Sequence, residues 1–129
     1  MMGTQWYAVY THVQKEWVAR DHLDRQGFLS YLPVYRKVIR HARNMREVER
    51  PLFPRYLFVR VALGGRAHHP IHSTIGVNGI VCHGDVPIPV PEELIDSLKR
   101  KEDSRGAIVL GSAMLFKKGD LVRITSGRF

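Results

Sequence analysis

The chain has 129 residues, of which 44% are hydrophobic and 25% are charged, and its formal net charge at pH 7 is +8. This length and balance predict folded structure with a real core and exclude a disordered chain. No apolar run approaches the ~20 residues that a membrane-spanning helix needs, and the amino terminus lacks the pattern of a signal peptide. Cys82 is the only cysteine, so no internal disulfide is expected, which fits a reducing, cytoplasmic location.

The positive charge is concentrated in one quarter of the chain. Residues 36–66 contain nine Lys and Arg against two Glu, a local charge of +7 out of the total of +8. This concentration favours a polyanionic or acidic partner near the segment, with an ordinary solvated surface as the alternative.

The first elements are predicted to be a strand and a helix. Residues 6–10 are β-formers without breakers, and residues 11–14 have the hydroxyl-to-Gln spacing of a helix capping box. A helix from about Gln14 to Gln26 follows, and Gly27 is placed to end it with a left-handed residue.

The middle of the chain is predicted to be extended. Residues 28–39 are rich in β-formers, with a proline that marks an edge or a bend. The periodicity of residues 40–50 permits a short helix, but extended segments on both sides favour an exposed hairpin arm. Residues 56–61 alternate in the manner of a strand, and two prolines stiffen the approach to it.

Short elements and one further helix follow. Residues 70–75 suit a single helical turn with Gly76 just past its end, and residues 79–82 a short strand. After a proline-rich loop, Pro91 opens a helix to about Lys101 whose acidic residues lie early and whose basic residues lie late, which complements the helix dipole.

These elements predict an α+β sandwich: one central, mostly antiparallel, four-stranded sheet flanked by helices, with a basic hairpin arm. The expected divisions are a domain over residues 1–104, a linker over 105–115 and the start of an incomplete domain over 116–129. One strand cannot form an independent domain.

Several motifs, in order along the chain, resemble the NusG family of transcription elongation factors. Those that resemble its N-terminal domain are Trp6-Tyr7-x-Val9, Pro51-Leu52-Phe53-Pro54-x-Tyr56-Leu57-Phe58-Val59, Thr74-x-Gly76-Val77 and Pro87-x-Pro89-Val90-Pro91. Residues 116–129 resemble the opening of its KOW domain. The chain is more similar to the specialised RfaH-type members than to the general factor, because Arg55 stands where the general factor usually has Gly.

The resemblance implies a transcription elongation or antitermination factor, not an enzyme, that binds the clamp helices of RNA polymerase and suppresses pausing or termination. The matching polymerase-binding positions are Tyr10, Phe53, Pro54, Tyr56, Phe58, Ile95 and Leu98. Alternation puts Tyr56 and Phe58 on one face, so that both line a groove or both are core. The family's His-Thr-Thr contact to the β subunit is replaced by Ala67-His68-His69, which makes His68 and His69 candidates for a second contact.

The resemblance also implies nucleic-acid contacts and further partners in a bacterial cytoplasm. His22, Arg25 and Gln26 resemble a helix face that reads the non-template DNA strand, and Thr74 is added to this set. Arg40, Arg43 and Arg46 on the arm are expected to contact phosphates without sequence preference. An ordinary polar helix face and a solvated hairpin are the alternatives. A ribosome or a termination factor is an expected partner of the missing C-terminal domain, and no membrane is expected.

A polymerase-independent, basic single-stranded nucleic-acid-binding module is the alternative function. No catalytic constellation and no cofactor are expected, because the chain lacks a phosphate-binding glycine loop, a nucleophile elbow and paired carboxylates on one face. The cluster His68-His69-x-x-His72 with Cys82-His83 matches no standard zinc spacing, so no metal is expected.

Overall fold

The structure, a computed structural model, describes residues 3–63 and 68–109, without the side chains of His68 and His69. The strands are β1 Gln5–Thr11, β2 Leu29–Tyr31, β3 Val34–His41, β4 Asn44–Pro51, β5 Tyr56–Val61, β6 Val77–Ile80, β7 Cys82–His83, β8 Val86–Pro87 and β9 Pro89–Val90. The helices are α1 Glu16–Arg25, α2 His68–His72 and α3 Glu92–Arg100. Among the described helices, none has the length and apolar character to span a membrane.

The central sheet has five strands in the order β2-β5-β1-β6, with β9 also pairing with β1. All of these pairs are antiparallel, and the register sets Tyr10 opposite Tyr56 and Trp6 opposite Val90. The predicted α+β fold with an antiparallel sheet is confirmed. The expected number of four strands is wrong by one. The segment before Pro91 was predicted to be a proline-rich loop, but Pro89–Val90 forms a short additional strand.

Alternation along β1 and β5 separates two cores on opposite faces of the sheet. On one face, Val9 and Leu57 belong to a buried cluster with Ala19 and Leu23 of α1 and Ile71 of α2. Each fully buried Val, Leu or Ile side chain contributes roughly 1.5–3 kcal/mol of burial free energy. This face therefore fixes α1 and α2 against the sheet.

The opposite face of the sheet is covered by α3. Trp6 and Phe58 form a second buried cluster with Ile95 and Leu98, and Ile108 from the segment after α3 joins them. The predicted helix from Pro91 is confirmed, since Pro91 occupies the N-cap and α3 ends at Arg100.

The hairpin arm is confirmed as β3 and β4, which form their own two-stranded sheet. A two-residue turn at 42–43 connects them, with Ala42 at a φ of +55°. The extended segment predicted over residues 28–39 is interrupted, because β2 ends at Tyr31 and β3 begins at Val34. Pro33 is fully buried in the break.

The predicted capping box is wrong. Thr11 remains in β1 and its hydroxyl donates to the carbonyl of His12 at 3.0 Å, while Gln14 has a left-handed φ of +59°. Helix α1 therefore begins later, at Glu16, after an N-cap Lys15 that makes no side-chain capping bond. The left-handed end at Gly27 is confirmed by its φ of +90°.

Residues 102–109, which we call the strap, follow α3 and return across the domain. Tyr31 donates to the carboxylate of Glu102, and the amide of Ile108 donates to the carbonyl of Val34 at 2.7 Å. Ala107 and Ile108 are buried. Within the linker predicted over 105–115, Ala107 and Ile108 are therefore packed on the domain, because these two residues are apolar. Residues 110–129, with the predicted start of a second domain, lie outside the described residues.

Candidate functional site

A small aromatic surface lies where β1 ends and β5 begins. Tyr10 and Tyr56 are cross-strand partners whose ring centroids are 5.2 Å apart, with the rings tilted by 50°. Pro54 is exposed, while Tyr10, Arg55 and Tyr56 are half-buried. We call these four residues the aromatic patch.

Arg55 is fixed in the aromatic patch by its backbone and its side chain. Its φ of +73° lies in the left-handed region, which is costly for a residue other than glycine. Its amide donates to a carboxylate oxygen of Glu16 at 2.9 Å, and its Nε donates to the carbonyl of Thr11 at 3.1 Å. The guanidinium carbon lies 4.2 Å from the centroid of the Tyr10 ring, a cation–π arrangement.

The electrostatics of the aromatic patch keep Tyr56 neutral. Burial raises the pKa of the Tyr56 hydroxyl above its ordinary value and the neighbouring Tyr10 raises it further, while Arg55 acts in the opposite direction. At neutral pH the hydroxyl therefore keeps its proton and can donate a hydrogen bond to a partner.

Four of the predicted polymerase-binding residues are core residues and not parts of an open groove. Phe53 is 4% exposed, and Phe58, Ile95 and Leu98 are fully buried. Phe53 and Phe58 meet edge to face, with ring centroids 6.3 Å apart. Because α3 and Ile108 cover this face of the sheet, Phe53 and Phe58 lie beneath the surface, and Tyr56 of the aromatic patch packs against their cluster.

Tyr56 and Phe58 share one face, as alternation requires, but they differ in depth. Phe58 belongs to the buried cluster, whereas Tyr56 is only packed against it. The prediction that Tyr56 and Phe58 are either both core residues or both groove residues is therefore wrong. Tyr56 lies at the start of β5, at the rim of the cluster.

The predicted DNA-reading residues lie around the end of α1. Arg25 and Gln26 are exposed and His22 is half-buried, whereas Thr74 is only 6% exposed. The Thr74 hydroxyl donates to the carbonyl of Pro70 at 2.6 Å and accepts from Nε2 of Gln26 at 2.7 Å. The structure thus brings Gln26 and Thr74 together, but it engages the Thr74 hydroxyl inside the protein.

The hairpin arm has two faces of different charge, because facing residues on paired strands share a side. The face that we call basic carries three cations and no carboxylate, and its pairs are Tyr35–Arg50, Lys37–Val48, Ile39–Arg46 and His41–Asn44. The mixed face combines arginines with glutamates in the pairs Arg36–Glu49, Val38–Glu47 and Arg40–Met45.

The predicted phosphate-binding arginines are divided between these faces. Arg46 lies on the basic face, Arg40 on the mixed face and Arg43 in the turn. The set is split because Arg43 falls in the turn between the strands and because alternate side chains of a strand point to opposite faces.

The strap forms ion pairs with both signs of charge on the mixed face. Arg36 forms an ion pair with Asp103, and Arg105 lies 3.3 Å from a carboxylate oxygen of Glu47. The hydrogen bonds from the backbone amide of Ala107 and from Arg36 are the main causes that hold the pKa of Asp103 below its ordinary value. The mixed face carries as many arginines as glutamates, so the excess positive charge of the paired strands lies on the basic face.

The remaining positions from the sequence analysis are the two histidines of the second contact and the residues considered for a metal site. The side chains of His68 and His69 lie outside the described residues, so their role as a second contact stays a prediction. Within residues 3–63 and 68–109, no group of three or more His, Cys, Asp or Glu could hold a metal ion. Burial raises the pKa of the Cys82 thiol, so this side chain stays protonated.

Sequence reasoning missed the residues that organise the two surfaces. The spacing of Glu16 and Arg20 favours an ion pair along the helix. Instead, Glu16 is buried and accepts a hydrogen bond from the Arg55 amide, while Arg20 forms an ion pair with Asp21. Lys37 and Arg50 belong to the basic face, and an assumed hairpin register would have identified them. The left-handed backbone of Arg55 has one signal, which comes from the resemblance: the general factor usually has Gly at this position.

The comparisons with known proteins agree with the motifs. A family model described as transcription termination factor nusG matches residues 4–99. The transcription termination/antitermination proteins NusG of Thermus thermophilus and Deinococcus radiodurans are each 30% identical to the chain. Both alignments cover 99% of the chain, and they cover 78% and 80% of the two relatives.

A solved structure, described as domain interaction in Thermotoga maritima NusG, shares the fold. It matches with a TM-score of 0.51 and 22% identity over 75% of this chain, which spans 56% of that one. The similarity to RfaH-type members stays a prediction, because these matches carry the NusG name. The family model covers most of the chain and the relatives match nearly all of it, so the chain belongs to the NusG family.

Proposed function

We propose that this protein is a transcription elongation and antitermination factor that docks on the clamp helices of RNA polymerase through the aromatic patch. Family membership supports a role in transcription termination or antitermination. The observation that carries the docking proposal is that Tyr10, Pro54 and Tyr56 remain accessible on a rigid support, while Phe53 and Phe58 beneath them are buried.

The composition of the aromatic patch suits a helical partner. Tyrosine and arginine are over-represented among residues that dominate binding energy, and rigid aromatic side chains lose little conformational entropy on binding. Burying an apolar ridge against these rings contributes roughly 25 cal/mol per Å² of apolar surface. The tips of two paired helices present a ridge of this kind.

Binding at the clamp explains how such a factor affects elongation. A ligand that prefers the closed clamp shifts the equilibrium between paused and active polymerase by its difference in affinity for the two states. Suppression of pausing or termination therefore requires differential binding and no chemical step.

The non-template DNA strand is the proposed nucleic-acid partner. The basic face of the hairpin, with Lys37, Arg46 and Arg50, is suited to backbone phosphates. Arg25 is exposed at the end of α1, where its guanidinium is available to a splayed base. A ribosome or a termination factor is proposed as a partner of a C-terminal domain.

The test is binding of the full chain to core RNA polymerase, with Tyr10→Ala as the diagnostic variant. We expect an affinity loss of about tenfold or more, as for a central aromatic contact. Tyr35→Ala is the matched control, because Tyr35 is also half-buried but lies at the base of the hairpin. Equal affinities of wild type and folded Tyr10→Ala would refute docking through the aromatic patch.

A second candidate function, nucleic-acid binding without polymerase, is favoured by the uniform charge of the basic face. It predicts affinity of the isolated protein for single-stranded oligonucleotides that falls steeply between low and moderate salt. A pausing assay separates the two functions: a pure nucleic-acid binder leaves polymerase pausing unchanged at concentrations that saturate the oligonucleotide.

A further inference from the structure

We propose that Arg55 determines partner specificity by taking a carboxylate, from an Asp or Glu side chain, on the docked clamp helices. This inference rests on the proposed function of the aromatic patch. It adds a chemical requirement that apolar docking alone does not have: the partner ridge must carry an acidic side chain next to its apolar tip.

The position of Arg55 is set before any partner arrives. The backbone amide is held by Glu16, Nε is held by the carbonyl of Thr11, and the guanidinium carbon lies over the Tyr10 ring. A side chain restrained at these points loses little further conformational entropy when it binds. Such preorganisation is typical of a recognition residue and not of a solvated surface arginine.

The two terminal nitrogens of Arg55 have no hydrogen-bond or ion-pair partner among the residues that the structure describes. Other restrained arginines differ in this respect, since Arg36 pairs with Asp103 and Arg60 lies 3.3 Å from Glu92. The carboxylate near Arg55, that of Glu16, is engaged by the Arg55 amide. Within the part of the chain that the structure describes, the aromatic patch therefore carries one positioned cation whose terminal nitrogens have no ion-pair partner.

Docking makes this missing counter-ion important. A partner that covers Tyr10 also removes water from the guanidinium that lies over its ring, and a desolvated charge without a partner is strongly unfavourable. A carboxylate can accept two parallel hydrogen bonds from the terminal nitrogens of an arginine. Partners without an acidic side chain at this point therefore bind weakly. Specificity arises both from the favourable ion pair with the right partner and from the unfavourable desolvation of Arg55 by a wrong one.

The diagnostic variant is Arg55→Gly in the full chain. Glycine adopts a φ of +73° without strain, so the variant is expected to fold. Arg55→Asn is a second variant, because asparagine also tolerates the left-handed region. Arg55→Lys keeps the charge but removes the planar fork. Circular dichroism and thermal unfolding verify that each variant is folded.

The measurement is affinity for core RNA polymerase at low and moderate salt, with polymerases in which single Asp or Glu residues of the clamp helices are changed to Asn or Gln. We expect Arg55→Gly and Arg55→Asn to lose at least tenfold in affinity and to show a weaker salt dependence of binding than wild type. Arg55→Lys should lose less affinity. One acidic substitution on the polymerase should weaken wild type but cause no further loss with Arg55→Gly.

The outcomes separate the two proposals. Wild-type affinity in Arg55→Gly, while Tyr10→Ala still binds weakly, overturns the role of Arg55 and leaves docking through the aromatic patch intact. Independent, additive losses for every acidic substitution also overturn it. Unchanged binding in both Tyr10→Ala and Arg55→Gly refutes docking through this surface, and the carboxylate inference with it.

Discussion

The carboxylate of Glu16, the first residue of α1, accepts a hydrogen bond from the backbone amide of Arg55 at 2.9 Å. Glu16 is only 5% exposed. This bond joins the start of a helix to the turn that leads into β5. It also satisfies a backbone donor at a position where the chain has a costly conformation.

Replacing Glu16 with Ala should therefore destabilise the protein. The Arg55 amide loses its acceptor, and a buried unsatisfied donor costs about 1–3 kcal/mol. Urea denaturation measures the free energy of unfolding. Glu16→Gln is the matched control, because its side-chain oxygen can still accept from the amide, and it should cost clearly less. Equal losses in the two variants would contradict this role of the carboxylate oxygen.

Gly76 is expected to be intolerant of any side chain. Its φ is +89°, and a Cβ atom there would lie 2.9 Å from the backbone nitrogen of Ala19 in α1. Gly76→Ala should cost about 2–4 kcal/mol from strain and overpacking together. Gly84→Ala is the control, since Gly84 has a φ of +64° but nothing within 4 Å of the added Cβ. It should cost only about 1–2 kcal/mol, and similar losses would exclude the contact with α1 as the cause.

Alkaline pH is expected to destabilise the protein through Tyr31. Burial, followed by the hydrogen bond to Glu102 and the charge of that carboxylate, raises the pKa of Tyr31 well above its ordinary value of 10.0. The unfolded chain therefore loses a proton above about pH 10 that the folded protein retains, and stability falls as pH rises. Unfolding measured between pH 8 and 11 should show a shallower decline for Tyr31→Phe. Some decline should remain, because burial also raises the pKa values of Tyr7 and Tyr56. An unchanged slope in Tyr31→Phe would refute this assignment.

The two faces of the hairpin should respond differently to the loss of an arginine. Arg46 and Arg40 are both exposed, but they lie on the basic and mixed faces respectively. Arg46→Ala should weaken binding to single-stranded DNA and reduce the slope of log affinity against log salt by about 0.7, the value for one phosphate contact. Arg40→Ala should leave the slope nearly unchanged. Fluorescence anisotropy over a salt series measures both, and equal effects would show that the faces are not distinguished.

Elements with strong local signals could be predicted from the sequence. Helix α3 follows from the proline at its start and the apolar spacing of Leu94, Ile95 and Leu98, all of which are buried. The hairpin followed from the extended segments on both sides of it. Gly27 ended α1 in the expected conformation. In each case the information lies within a few residues of the element.

The depth of the aromatic residues could not be predicted, because it depends on what covers the sheet from elsewhere. The period of a strand assigns Phe58 a face but does not reveal that α3 and Ile108 close over that face. The strap is equally non-local, since Arg36 and Asp103 are 67 residues apart and neither carries a periodic signal. Long-range contacts of this kind decide which members of a motif reach a partner.

The strap also determines how mechanical force enters the domain. The chain passes Asp103 and Ile108 while bonded to Arg36 and Val34 at the base of the hairpin, and only then continues to residues 110–129. A pull on those last residues is therefore transmitted both to the end of α3, where the amide of Val109 donates to the carbonyl of Lys101, and to the root of the charged arm. Anything tethered to the carboxyl end of this chain would act as a lever on the arm.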